Sequence, residues 1–440
     1  MSPPPPGAIG YDGVMRPSLT PPAMRLVTRP GHPDFLDLPW SEPLEDWKDD
    51  RLVEVAAGIH RHVVRFVNVN GMLYALKELP PRLAEREYRV LRHMADDGLP
   101  VVEVVGVARR VGLEDVLITR YLEYSLPYRL LFTHRRPAVE DESDPHSIRG
   151  LHSRLLDALA LLMVHMHLAG FYWGDCSLSN TLFRRDAGAL AAYIVDVETG
   201  DWHAELSPGQ RRSDLEVAQL NVAGGLMDLQ AELDLPPDPD PVESAERLAE
   251  RYDQLWVELT RDVVIGVDER YKIDARLRRL NELGFDVEEV ELESTQAGDR
   301  LRMRMSVAER GHHRRRLLEL TGLQAQENQA RSLLNDLTNY RAASERDSGQ
   351  PIPEAVAAYR WLNDVFVKVV DAIPEEHRAR LEPVEVFHEV IEHKWYLSET
   401  EGQDVGVDRA LTAYLSTVLP RSAAEKEVLT DPKEGWIGFG

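Results

Sequence analysis

Asp175 and Asn180 stand five positions apart in YWGDCSLSNTLF, residues 172–183, whose other side chains are mostly apolar, aromatic or small. Further along, Ile194-Val195-Asp196 ends an apolar run in a carboxylate. Upstream, Lys77 closes Ala75-Leu76-Lys77, and Glu87 follows ten residues later. Transfer of a phosphoryl group from a nucleotide needs these parts. A cation held by its own ion pair meets the phosphates. A carboxylate and an amide oxygen hold a metal, and another carboxylate stands beside the acceptor hydroxyl. Catalysis of this kind is mainly positioning and charge stabilisation.

Taken singly, each residue has a plainer explanation. Lys77 could be a surface strand lysine and Glu87 a solvated helix residue. Asp175 and Asn180 could be turn formers. Their order, each in a suitable predicted element, favours the chemistry. Strand-like runs over 61–69 and 71–79 meet at Val69-Asn70-Gly71, and Asn-Gly between such runs signals a hairpin. This puts Ala75 and Lys77 on one face of a strand. Pro80-Pro81 ends that strand, and helical spacing carries Glu87 through 82–95 before Gly98 and Pro100 stop it. Strands are expected near 101–110 and 116–121, then a long apolar helix over 153–169 capped by Gly170. A further helix is expected over 214–229. Asp214 at its start is open to two readings, a brace for the catalytic loop or an ordinary N-cap.

Residues from about 50 to 230 resemble the protein-kinase-like superfamily, in particular the RIO kinases and the Kdo/lipopolysaccharide-core kinases. The loop Asp175-Cys176-Ser177-Leu178-Ser179-Asn180 matches the Asp-x-Ser-x-x-Asn of RIO proteins. Ile194-Val195-Asp196-Val197 stands where those kinases replace Asp-Phe-Gly, and Glu87-Tyr88-Arg89-Val90-Leu91 followed by Gly98-Leu99-Pro100-Val101 is similar to the same branch. The resemblance implies a two-lobed fold with ATP and Mg2+ as cofactors. It implies Lys77 on the phosphates, Glu87 as its partner, and Asp175 as the group that orients and deprotonates the acceptor hydroxyl. Asn180 and Asp196 would be metal ligands. Ala75, Tyr121 and Leu122 would line the nucleotide site, with Gly58 in the phosphate-covering loop. That loop, Val55-Ala56-Ala57-Gly58-Ile59-His60, has a single glycine, Trp173 replaces the usual histidine or tyrosine, and no Ala-Pro-Glu segment follows Asp196. A second reading therefore stays open, a nucleotide-binding regulator without catalysis.

The 440-residue chain carries a net charge of −24, which opposes non-specific binding to nucleic acid or anionic membrane. Its one cysteine, Cys176, precludes an intramolecular disulfide and fits a cytoplasmic setting, as a small buried hydrophobe rather than a reactive thiol. The N-terminus lacks the pattern of a signal peptide, and the most apolar run, 155–164, is too short to span a bilayer. The expected class is α+β: a two-lobed kinase-like domain followed by a mainly α-helical domain with one β-hairpin. The expected divisions are a Pro-rich arm over 1–46, the kinase-like domain over 47–230, an acidic Pro-rich linker over 231–246, the helical domain over 247–422 and a tail over 423–440. The later part of the arm is expected to pack on the first domain.

In the C-terminal half, FDVEEVELEST and RLRMRMSV alternate with period two around a glycine-containing turn, which predicts the hairpin. Helices are expected over 271–283, 312–321, 327–340, 354–372 and 383–397. The stretches HHRRRLLELTGL, ENQARSLLND and EHKWYLSE resemble an uncharacterised bacterial domain found behind such kinases, a candidate surface for a protein partner. The cluster Arg310, His312, His313, Arg314, Arg315 and Arg316 reads as a solvated helix start or an anion site, for nucleic acid or a phosphorylated ligand. Trp361, Trp395 and Tyr396 read as core, and the histidines show no metal-ligand constellation.

Overall fold

Asn70 and Gly71 both take positive φ, 56° and 81°, and turn β3 (Val64–Val69) into β4 (Met72–Leu79). The structure, a computed structural model, describes residues 24–55, 62–133, 148–235, 239–261, 263–266, 271, 273, 275–276, 278, 287–294, 300–307, 311–378, 381–421 and 428–429. β1 (Met24–Thr28), β2 (Leu52–Val55), β5 (Val104–Arg110) and β6 (Asp115–Arg120) join the hairpin. Among the described residues the sheet runs β1-β5-β6-β4-β3-β2, and the short strand Val428–Leu429 extends it beyond β2. Lys77 thus stands on a central strand, opposite Val64 on one side and Leu117 on the other.

The two faces of β4 have separate fates, as strand alternation requires. Tyr74 and Leu76 face a cluster with Phe35, Leu38, Trp40, Leu44 and Trp47 from the arm. The later arm therefore packs on this lobe, while residues 1–23 lie outside the described ones. Leu79 joins the other core, with α1 (Pro81–Asp96), whose buried stripe includes Ala84, Glu87, Tyr88, Leu91 and Met94. A carboxylate in such a stripe is expensive unless it has a partner.

The second lobe is built on α3 (Ile148–Leu168), which is buried among α4 (Pro208–Leu233), β9 (Thr181–Asp186) and β10 (Ala189–Ile194). α5 (Pro241–Thr260) packs there too: Leu248, Ala249, Tyr252 and Leu259 belong to this core. The sequence boundary at 246/247 cuts through this helix, whose apolar stripe faces the first core. α4 also begins earlier than expected. Ser207 caps it through a capping box with Gln210, so Asp214 is an interior residue and not an N-cap.

Beyond α5 come β12 (Val263–Gly266), β13 (Val287–Ser294) and β14 (Arg300–Val307), ordered β12-β14-β13, one strand more than the expected hairpin. Then follow α6 (His312–Thr321), α7 (Glu327–Ser348), α8 (Glu354–Trp361), a π-helical turn over Leu362–Val367, α9 (Lys368–Asp371), α10 (Glu375–Arg378), α11 (Pro383–Glu401) and α12 (Val407–Thr417). Their own core gathers Leu317, Leu333, Trp361, Phe387 and Tyr414. Trp361 is buried, but Trp395 and Tyr396 are 64% and 60% exposed, so that part of the core expectation fails. In α11 the inward stripe is Val384, Val386, Phe387 and Val390, which leaves the far end of the helix turned to solvent.

The helical region grips the β9–β10 hairpin. Asp186 Oδ1 accepts from the backbone N–H of Gln329 at 2.8 Å, and Oδ2 from Asn328 Nδ2 at 3.0 Å, at the start of α7. Ala187 N donates to Glu385 Oε2 at 2.9 Å, Arg184 pairs with Glu382, and Arg185 with Glu385 and Glu389. Burial pushes the Asp186 carboxyl up to about 7, against the donors at the start of α7.

Candidate active site

Lys77 Nζ lies 3.1 Å from Glu87 Oε1 and 2.7 Å from Asp196 Oδ2. The three groups come from β4, from α1 and from the segment after β10. Two contacts bring Asp196 under the first sheet. Ile194 N donates to Pro100 O, and Val102 N to Ile194 O, both at 3.0 Å. Arg86, next to Glu87 on α1, donates to the backbone carbonyls of Glu198 and Gly200. The helix that carries the glutamate therefore also holds the segment that carries the aspartate, a long-range link with no sequence signature.

Burial pushes the Glu87 carboxyl up to about 7, although Lys77 pulls it down; the charges of Asp196 and Glu198 push the same way as burial. Burial alone would lower the Lys77 pKa, but its two carboxylates together hold it above its ordinary value. Lys77 is therefore held in its charged form at neutral pH.

The stretch 172–183 runs from the end of β8 (Phe171–Tyr172) through a loop over 173–180 into β9. Its backbone is held by Asp214, which is fully buried on α4. Asp214 Oδ2 accepts from Trp173 N at 2.7 Å and Oδ1 from Gly174 N at 2.8 Å. His167 Nε2 lies 3.1 Å from Asp214 Oδ2, and His167 Nδ1 lies 2.7 Å from Tyr252 Oη. Of the two sequence readings of Asp214, the geometry is that of the brace. Gly174 takes φ 75°, a left-handed conformation that suits glycine next to the aspartate. Trp173 is buried and its Nε1 donates to Asp196 O at 3.0 Å, tying the loop to the Asp196 segment.

Asp175 Oδ2 accepts from Asn180 Nδ2 at 3.0 Å, and Asp175 Oδ1 from Asn221 Nδ2 at 3.1 Å. Burial raises the Asp175 pKa, the neighbouring charges of Asp196 and Glu198 add to that, and the two amides oppose it. Val195 N donates to Asn180 O at 3.1 Å, so Asn180 lies against the strand that delivers Asp196. Cys176 is fully buried and its thiol is pushed well above the ordinary range by burial, which suits a packed hydrophobe and not a nucleophile.

Ala75 pairs across the sheet with Phe66, whose ring meets Tyr121 edge-on at 5.9 Å between centroids. Tyr121 N donates to Leu73 O at 2.9 Å, and Leu122, packed against the larger core, opens the crossing to the second lobe. Gly58 lies outside the described residues. His62, just after that loop, has Nε2 at 3.5 Å from Glu198 Oε2.

In the basic cluster, Arg314 and Arg315 are exposed on α6, while two other members are paired. His313 pairs with Glu327, and Arg316 with Glu354 and Glu319. Arg310 and the His312 side chain lie outside the described residues. Among the described residues no group of three or more histidine, cysteine or acidic side chains is arranged to hold a metal, and no helix is long and apolar enough to cross a membrane.

Residues 254–419 match a family model described as a domain of unknown function, DUF4032. No curated protein matches the chain. A solved structure titled "WaaP in complex with acyl carrier protein" is similar at 16% sequence identity, over 52% of this chain and 89% of that chain, with a TM-score of 0.32. A likeness that slight adds nothing to the geometry above. The chain has a mixed helix-and-sheet fold, with a sheet-rich N-terminal lobe and a second lobe built on α3, followed by a mainly helical region similar to that family of unknown function.

Proposed function

We propose that the protein is an ATP- and magnesium-dependent phosphotransferase that passes the γ-phosphate to an alcohol hydroxyl on a sugar or glycolipid, another small molecule or a protein. One observation carries this reading: Lys77 lies within reach of both Glu87 and Asp196, beside a loop that offers the Asp175 carboxylate. Lys77 would meet the phosphates as a cation kept charged by its carboxylates. Asp175, raised in pKa by burial but held by two amides, would accept the hydroxyl proton.

The donors present suit a hard cation. Asn180 turns its amide nitrogen onto Asp175, so its carbonyl oxygen takes no part in those bonds, and Asp196 adds a carboxylate. These two would hold magnesium, which when bound neutralises charge on the phosphates. Ala75, Tyr121 and Leu122 would line the adenine side of the cleft. The single buried cysteine suits the cytoplasm. Exposed aromatics on α11 leave surface for a protein partner.

The test is incubation with ATP and Mg2+, with nucleotide binding and hydrolysis or self-phosphorylation both measured. Asp175→Asn keeps shape but removes the base. It should leave ATP binding intact and lower turnover by about 100-fold or more. A wild type that binds nucleotide and never turns it over would instead be the regulator to which the single glycine of the 55–60 loop points. Full activity in Asp175→Asn, with Lys77→Ala inactive, would remove Asp175 from the mechanism.

A further inference from the structure

α4 meets the 172–183 loop at successive turns. Asp214 takes the N–H groups of Trp173 and Gly174. Seven residues later on the same side, about 10 Å along the axis, stands Asn221. One more turn on, a Cβ at Gly225 would meet Leu178 at 3.4 Å, so helix and loop are in contact there too. Asn221 has two amide hydrogens, and each has a partner. Nδ2 lies 3.1 Å from Asp175 Oδ1 and 3.1 Å from Cys176 O. Asn180 covers the other carboxylate oxygen.

We infer that Asn221 is a positioning residue that holds the Asp175 carboxylate in one orientation from α4. This rests on the phosphotransferase reading for its consequence in catalysis, though not for the contact itself. A carboxylate has about four lone-pair sites. One amide on each oxygen leaves room for an acceptor hydroxyl while removing rotation of the group. An amide is suited to this work. It donates without carrying charge, so it does not compete with Lys77 for the phosphates. Asn180 alone would tie the carboxylate only to its own loop; Asn221 ties it to a helix that the Ser207 cap and the buried stripe hold rigid.

Two double-mutant cycles test this. In the first, Asn221→Ala is made in the wild type and in Asp175→Asn, and kcat and KM for ATP are measured. Alone it should lower kcat by about 10- to 100-fold with KM for ATP unchanged. In the Asp175→Asn background it should add less than about twofold, because the residue it acts through is gone. Asn221→Asp, which keeps the shape but loses both donors, should show the same kcat loss. Equal losses in both backgrounds, or wild-type kcat in Asn221→Asp, would overturn the inference. The second cycle needs no activity. Asn221→Ala should lower Tm by about 3 °C in the wild type and by less than about 1 °C in Asp175→Ala. Additive Tm shifts would overturn the contact. Coupled Tm shifts in a protein that never turns over ATP would keep the contact and refute the phosphotransferase.

Discussion

Glu87→Gln should make the fold more stable at neutral pH while damaging nucleotide binding. The Glu87 side chain is fully buried, and its pKa rises from 4.5 in the unfolded chain to about 7 in the folded one. Between those values the folded state binds more protons than the unfolded state, so stability present below pH 4.5 is lost as pH rises through 7. The full loss is about 3 kcal/mol at 1.36 kcal/mol per pKa unit. Glutamine has no such titration. Lys77 stays charged throughout this range and keeps Asp196 at 2.7 Å, so its contribution to the difference does not vary with pH. Urea unfolding of both proteins at pH 5, 6, 7 and 8 would read the effect. The stability difference should move in favour of the variant by about 2–3 kcal/mol between pH 5 and 8. The same variant should bind ATP about tenfold or more weakly at pH 8, having lost one buried partner of the lysine. Parallel stability curves would refute the idea that a costly charge is kept at Glu87 for function.

Two further outcomes follow from the geometry. Asp196→Asn should weaken the magnesium dependence of nucleotide binding by about tenfold, measured by titrating ATP with and without Mg2+; unchanged dependence would place the metal elsewhere. Asp186 has a folded pKa of about 7, so its stabilising protonated form is lost as pH rises through 7. From pH 5.5 to 8 the wild type should lose about 5 °C more in Tm than Asp186→Asn, by calorimetry, and equal losses would rule out a buried titrating group in that hairpin.

The sequence was most informative where a single short stretch determines the structure. Asn70-Gly71 specifies its own turn, and Pro81 starts α1. Lys77 and Glu87 meet because a strand followed directly by a helix leaves little choice of geometry. The same local logic failed at α12, which begins after Gly406 with no side-chain cap. It failed at β12, four residues long and far in sequence from the hairpin it joins. Arg86, His167, Tyr252 and Asn221 act through contacts between elements, and periodicity carries no information about those. Tyr252 is a further case: a Pro-rich linker reads as a domain edge, yet the helix after it adds residues to the first core.

The same physical tension occurs twice in this chain, and in both places it bears on the 172–183 loop. In the cleft, Glu87 is pushed up by burial and by Asp196 and Glu198, with Lys77 as the compensating charge. At the far end of β9, Asp186 and Glu382 are both raised by burial, with Arg184 pairing one of them and backbone N–H groups satisfying the other. β9 joins the two, since it begins at Thr181, next to Asn180, and ends at Asp186. Isolated buried carboxylates destabilise a fold, and each of these is satisfied only when two separate elements are docked. Docking of the helical region therefore fixes one end of the strand whose other end follows directly on Asn180. The helical region thus supports the loop before β9 through contacts at the strand's far end.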